Sequence, residues 1–77
     1  MKIKVIWDFR GEDGLQTAKH HAIHLKEFCE KEKILNNAID YSKLSEFHAI
    51  AYVIVDKENV NIIRDSLKPH RAEIVSK

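Results

Sequence analysis

The sequence has few of the covalent devices that usually stabilise a very short chain. Its 77 residues include one cysteine, Cys29, so no disulfide can form within the chain. Chains of this size form a single domain with a small core and often depend on a metal or on a partner subunit. We therefore treat residues 1–77 as one domain. The lack of disulfides fits a reducing, cytoplasmic setting.

The sequence also lacks a strong charge bias and long apolar segments. Thirteen basic residues against twelve acidic ones give a net charge of +1, and no long run of one sign occurs. This argues against a nucleic-acid-binding protein. The longest uninterrupted apolar run, residues 49–55, is too short to cross a bilayer. We expect a soluble protein with neither a nucleic-acid nor a membrane partner.

Residues 13–33 carry the clearest helical pattern of the chain. Small or apolar side chains recur at the three- and four-residue spacing of one helix face. They are Leu15, Ala18, Ala22, Leu25 and Cys29. The preceding residues 2–9 alternate between Ile3, Val5, Trp7 and Phe9 on one side and mostly polar residues on the other, which predicts a strand.

The second half of the chain predicts a strand, a helix and a final strand. Residues 48–55 are apolar at both alternating positions, which is typical of a strand covered on both faces. A helix is expected over residues 57–67, ended by Pro69, and a short strand over residues 71–75. Residues 34–47 predict no single structure: a short edge strand around Ile39 and a helical turn at residues 42–45 are both compatible with the sequence.

This order predicts an α+β fold of the ferredoxin-like, split βαβ type (βαββαβ). We expect one antiparallel sheet with both helices on one face, and a first and third strand that are central and run parallel to each other. The helices would cover one face of the sheet, whereas the third strand is apolar on both. Another copy of the chain is the simplest cover for the second face, so a sheet-to-sheet homodimer is predicted.

The layout resembles the dimeric α/β-barrel superfamily, in which two ferredoxin-like protomers pack sheet against sheet. The resemblance covers nearly the whole chain through the segments MKIKVIWDF, HAIAYVIVD and KPHRAEIV and the long first helix. It is nearest to uncharacterised short members. The superfamily includes haem-degrading and cofactor-free monooxygenases and small isomerases, but no motif in this chain selects one of these activities.

Three of the five histidines lie on the first predicted helix and form the first candidate site. His20 and His24 are four residues apart, a spacing that lets two imidazoles share a metal ion on one helix face. His21 lies at the border of the apolar stripe. His20, His21 and His24 are thus candidate ligands of a divalent transition metal, although no glutamate or cysteine completes a familiar zinc pattern. The alternatives are an acid–base role and an ordinary histidine-rich helix surface.

A second candidate site collects polar and aromatic side chains that a small molecule could contact. Its candidate residues are His21, His24, His70, Tyr52 and Arg71. With the first and third strands parallel, His70 would approach Asp8 and the start of the first helix. His48 would lie at the opposite end of that helix. Together with Lys68, residues His70 and Arg71 form a basic corner suited to an anionic ligand.

Three functions are compatible with these features. The first is a small homodimeric protein that binds a small molecule or a metal ion in a histidine-bearing cleft or an inter-sheet cavity. The second is an enzyme of the same architecture, resembling the monooxygenases or isomerases, with a histidine as acid or base. The third is a protein-interaction module.

Overall fold

The computed structural model describes residues 1–76, without the side chains of Asn37 and Ser76. Strand β1 is followed by the long helix α1, the hairpin β2–β3, a single 3₁₀ turn, the short helix α2 and strand β4. The bounds are β1 Lys2–Arg10, α1 Gly14–Glu32, β2 Asn36–Ser45, β3 His48–Asp56, the 3₁₀ turn Lys57–Asn59, α2 Val60–Leu67 and β4 Arg71–Ser76.

The four strands form one antiparallel sheet in the order β2-β3-β1-β4. The α+β class and the antiparallel sheet are confirmed, and the element order is compatible with the ferredoxin-like plan. The prediction that the first and third strands run parallel was wrong, since β1 pairs antiparallel with β3 from Lys2↔Asp56 to Arg10↔His48. The reason is the tight connection between β2 and β3. Only Glu46 and Phe47 separate these strands, and a two-residue turn joins antiparallel strands.

The segment that the sequence left open is an edge strand. Strand β2 pairs with β3 along most of its length, with irregularities between Asn36 and Ala38 and between Lys43 and Ser45. The alternative helical turn at residues 42–45 was wrong. Ile39 and Tyr41 lie on the face that packs against the core, opposite Val53 and Ala51 of β3.

The hydrophobic core lies between the helices and one face of the sheet. Helix α1 contributes Ala18, Leu25 and Cys29, and α2 contributes Ile63, which is fully buried. Alternate residues of β1 and β3 complete the cluster: Val5, Trp7, Ala49, Ala51, Val53 and Val55. Of the predicted helix stripe, Leu15 alone is exposed, at 38%. Among residues 1–76, neither helix combines the length and apolar character needed to cross a bilayer.

The other face of the sheet carries no helix, and we call it the open face. Its β1 and β3 side chains are Lys2, Lys4, Ile6, Asp8, Arg10, His48, Ile50, Tyr52 and Ile54, joined from β4 by Arg71 and Glu73. Ile6 and Ile50 are only 1% and 5% exposed although no second chain is present. A single chain therefore covers the most apolar part of this face with its own long side chains.

Candidate functional site

Three strands bring a carboxylate, an imidazole and a guanidinium together on the open face. Asp8 lies near the end of β1, where Arg10 pairs with His48 of β3. The Oδ1 atom of Asp8 accepts hydrogen bonds from His48 Nε2 at 2.7 Å and from Arg71 Nη2 at 3.0 Å. Its Oδ2 atom accepts another from Arg71 Nε at 3.0 Å. The side chains of Asp8 and His48 are only 15% and 17% exposed, so the carboxylate is held firmly between its two partners.

The electrostatics of this arrangement fix the protonation of the carboxylate. The hydrogen bond from Arg71 is the main cause that lowers the pKa of Asp8 to about 2, against the opposing effect of burial, and the hydrogen bond from His48 adds to it. The same contact with Asp8 raises the pKa of Arg71. Asp8 is therefore ionised at every ordinary pH.

An ionised Asp8 also determines which nitrogen of His48 carries the proton. A carboxylate can only accept, so His48 Nε2 must donate, and in the neutral ring the lone pair then lies on Nδ1. No residue among those that the structure describes is hydrogen-bonded to this Nδ1 atom. His48 is thus an oriented imidazole with one nitrogen free to accept a hydrogen bond or a proton.

His70 approaches Asp8 from the neighbouring strand edge. Its Nδ1 atom accepts a hydrogen bond of 2.7 Å from the backbone N–H of Asp8, and the backbone N–H of His70 donates to the Ile6 carbonyl at 3.0 Å. An accepting Nδ1 requires an unprotonated ring nitrogen, so the neutral ring carries its proton on Nε2. We call Asp8, His48, His70 and Arg71 the Asp8 cluster.

An apolar strip adjoins this cluster along the open face. Ile50 lies directly across from Asp8, and Ile6 lies directly across from Tyr52. The ammonium group of Lys4 lies 4.2 Å from the centre of the Tyr52 ring, a cation–π contact. The open face therefore combines a polar cluster at one end with two buried isoleucines and a half-buried tyrosine ring beside it.

A surface hollow lies elsewhere on the described part of the chain. It measures about 570 Å³ and is lined by Met1, Asp56, Lys57, Glu58 and Asn61, at the opposite end of β1 and β3 from the Asp8 cluster. Its lining contains no imidazole, and the Lys2–Asp56 ion pair beside it is exposed on both sides. We assign the candidate site to the Asp8 cluster because oriented, partly buried polar groups converge there.

The structure separates the predicted ligand-binding residues into two groups. His70 and Arg71 both contact Asp8, and Tyr52 lies on the same open face. His21 instead lies between α1 and the core face of the sheet, with its ring centroid 4.8 Å from that of Trp7 and 5.4 Å from that of Phe9. Its Nε2 atom is buried and has no hydrogen-bond partner among the residues that the structure describes. Burial, and then the charges of His24 and His70, lower the pKa of His21.

The remaining helix histidines lie outside the candidate site. The rings of His20 and His24 touch on the outer surface of α1, with centroids 4.7 Å apart, and His24 Nδ1 lies 3.6 Å from Glu27 Oε1. Since His21 turns inward, the three predicted metal ligands do not converge. Residues 1–76 contain no group of three or more histidine, cysteine or acidic side chains arranged to hold a metal ion. The metal prediction for His20, His21 and His24 gains no support.

Sequence reasoning missed Asp8 and His48 as members of the site. The error in strand direction placed His48 at the wrong end of α1, whereas the antiparallel register places it opposite Arg10 and within hydrogen-bond distance of Asp8. One signal could have identified Asp8. A carboxylate inside a strand with apolar neighbours needs a partner, because an unpaired charge is costly to bury.

Comparisons of the chain with protein-family models, with curated proteins and with solved structures each find no match.

Proposed function

We propose that this protein binds a small organic molecule on the open face of its sheet, between two copies of the chain, with His48 as the central polar contact. The observation that supports this most directly is the 2.7 Å hydrogen bond between His48 Nε2 and Asp8. It orients the imidazole and leaves Nδ1 unoccupied by any described residue. The side chain of Arg71 already binds those of Asp8 and Glu73, whereas His48 retains a nitrogen that can accept a further hydrogen bond.

The chemistry of the site favours one class of ligand. Neutral His48 presents an acceptor at Nδ1, so the ligand needs a hydroxyl or an N–H group at that point. Beside it, the half-buried Tyr52 ring and Ile54 offer an apolar surface suited to an aromatic or alicyclic body. A phenol or an N–H heterocycle satisfies both requirements.

A second chain would complete the site. A flat sheet face covers a ligand on one side only, and small-molecule sites generally enclose most of the ligand surface. Tyr52 and Ile54 are half-buried in the single chain and would be covered by a stacked sheet. The ferredoxin-like order of elements and the resemblance to dimeric α/β-barrel proteins support this mode of association. The single buried cysteine fits a cytoplasmic setting.

Ligand binding can be tested with simple probes and methyl NMR. Phenol and indole supply a donor on an aromatic body, and toluene supplies the body without the donor. We expect phenol or indole to shift the methyl signals of Ile6 and Ile50, with toluene weaker by at least several-fold because His48 Nδ1 is then left unpaired. His48→Phe should abolish the difference between donor and non-donor probes, whereas His24→Phe, on the exposed helix surface, should preserve it. Equal shifts from all three probes, or shifts confined to other surfaces, would contradict the proposal.

The dimer can be tested with a matched pair of charge substitutions. Ile54 lies on the open face and Ile62 lies on the outer surface of α2, 43% exposed. In sedimentation velocity, the wild type and Ile62→Lys should sediment as a dimer, and Ile54→Lys as a 9.0 kDa monomer, because a lysine cannot be buried between stacked sheets without a partner. A monomeric wild type would favour the protein-interaction module instead.

The same hydrogen bond favours one alternative, an enzyme in which His48 acts as general base. A carboxylate that orients an imidazole, with the other ring nitrogen free, is the arrangement by which a histidine accepts a proton from a bound hydroxyl or N–H group. His48→Gln separates the two functions, since its amide can still donate to Asp8 but cannot act as a base. Loss of turnover with binding retained would support the enzyme, and retained turnover would exclude His48 as the base.

A further inference from the structure

We propose that His70 is a proton-sensitive clasp that holds β4 against β1 and so controls the Asp8 cluster. The consequence for ligand binding rests on the function proposed above. The clasp itself is a property of the free chain and can be tested without any ligand.

The clasp is the His70 side chain, which continues the ladder of hydrogen bonds between β1 and β4. Pairing between β1 and β4 ends at Ile6↔Arg71, and Pro69 lies just beyond it in the sequence. Past that point the His70 ring takes the place of a backbone carbonyl and accepts the Asp8 N–H at 2.7 Å. A protonated imidazole has no lone pair with which to accept this bond. Protonation of His70 therefore removes the hydrogen bond of the Asp8 N–H, while the backbone N–H of His70 stays bound to the Ile6 carbonyl.

The other hydrogen bonds of Asp8 do not require an unprotonated imidazole nitrogen. Arg71 is always charged and donates to both carboxylate oxygens. His48 donates through Nε2, and it can do so whether its ring is neutral or charged. Among the contacts of the Asp8 cluster, the bond accepted by His70 is thus the one that a proton breaks.

The surroundings of His70 give a charged ring little compensation. From β4, Arg71 follows directly in the sequence, and from α1 His21 is close enough that the charge of His70 lowers its pKa. From β3, His48 binds the carboxylate of Asp8, and Lys68 lies shortly before His70 in the sequence. The nearest acidic groups, Asp8 and Glu73, are both engaged by the guanidinium of Arg71. His70 is itself exposed, so protons reach it directly.

Opening of the clasp would disturb the site through Arg71. This residue is the first of β4 and the chief partner of the Asp8 carboxylate. When the His70 ring no longer binds the Asp8 N–H, the end of β1 that carries Asp8 is held less firmly against Arg71, and the orientation of His48 depends on the carboxylate that Arg71 steadies. Ligand affinity should therefore be lower when the His70 ring is protonated.

Amide hydrogen exchange at Asp8 tests the clasp. The protection factor of the Asp8 N–H would be measured at pH 7.5 and pH 5.5 on ligand-free protein, with the Val53 amide as internal reference for global stability. We expect the ratio of Asp8 to Val53 protection to fall roughly tenfold at the lower pH, about the strength of one hydrogen bond. In His70→Asn, Oδ1 can replace the accepting Nδ1 at every pH, so the ratio should not change.

Two further variants complete the test. His24→Asn, a matched change on the exposed helix surface, should behave as the wild type, and His70→Ala should show low Asp8 protection at both pH values. The proposal is overturned if the wild-type ratio is the same at both pH values, or if His70→Asn loses protection as the wild type does. Failure here leaves the probe-binding result for His48 unaffected, and failure of that probe experiment leaves the exchange result standing.

Discussion

Substitution of Asp8 by Asn should remove a defined amount of stability that depends on pH. In the folded chain the pKa of Asp8 is about 2, against an ordinary value of 3.8. A difference of nearly two pKa units corresponds to about 2–3 kcal/mol, at about 1.4 kcal/mol per unit. The side chain is only 15% exposed, so solvent screening removes little of this. Asp8→Asn should therefore lower the free energy of unfolding by about 2 kcal/mol at pH 7.

The sign of the pH dependence follows from linkage. Because folding lowers the pKa, the contribution of Asp8 is present above pH 3.8 and is lost as the pH falls towards 2. Urea unfolding of both proteins at one concentration, at pH 7 and at pH 2, measures the difference. The gap should shrink from about 2 kcal/mol to below about 1 kcal/mol, while Asp56 contributes equally to both proteins and cancels. A gap that is the same at both pH values would refute the charge-based explanation of the Asp8 cluster.

Three further experiments test how helix α1 packs against the sheet. His21→Phe removes a buried nitrogen that has no partner among the described residues, and it should raise the free energy of unfolding by about 1 kcal/mol. Burial also lowers the pKa of His21 below 6.5. In urea titrations the wild type should therefore lose more stability than the variant between pH 7 and pH 5. Gly14→Ala would place a methyl group 2.8 Å from the Phe9 carbonyl oxygen and should lower the free energy of unfolding by about 1–3 kcal/mol. The control Gln16→Ala, on the exposed side of the same turn, should change thermal stability little. Equal stabilities of the two variants would contradict the close contact at Gly14. Cys29 is 2% exposed and burial raises the pKa of its thiol, so a thiol reagent should label it only after unfolding, and fast labelling of the native protein would show that the core is open.

Much of the fold could be predicted because side-chain alternation and helical spacing are local signals. The alternation of β1, the double-sided apolar pattern of β3 and, except for Leu15, the stripe of α1 correspond to buried or partly buried positions in the structure. Strand β2 gave a weak signal because it lies at the sheet edge. There Asp40 and Ser42 face the open side, while Ile39 and Tyr41 face the core. An edge strand needs no apolar residues on its outer face.

The candidate site was harder to predict because it depends on strand direction. Asp8 and His48 are 40 positions apart in the sequence, and only the antiparallel register of β1 and β3 brings them together. Side-chain alternation is the same in a parallel and an antiparallel strand, so the pattern could not supply this information. The length of the β2–β3 connection does supply it, once β2 is known to extend to Ser45.

The tautomer of His48 tests the central claim most directly. Two-bond ¹H–¹⁵N correlation spectra at pH 7.5 distinguish a protonated imidazole nitrogen from one that carries a lone pair. If Asp8 orients His48 as the 2.7 Å contact requires, the wild type should show Nε2 protonated and Nδ1 bare, and Asp8→Asn should relax this preference. A wild-type His48 protonated on Nδ1, or a tautomer ratio that Asp8→Asn leaves unchanged, would contradict the existence of an oriented imidazole on the open face.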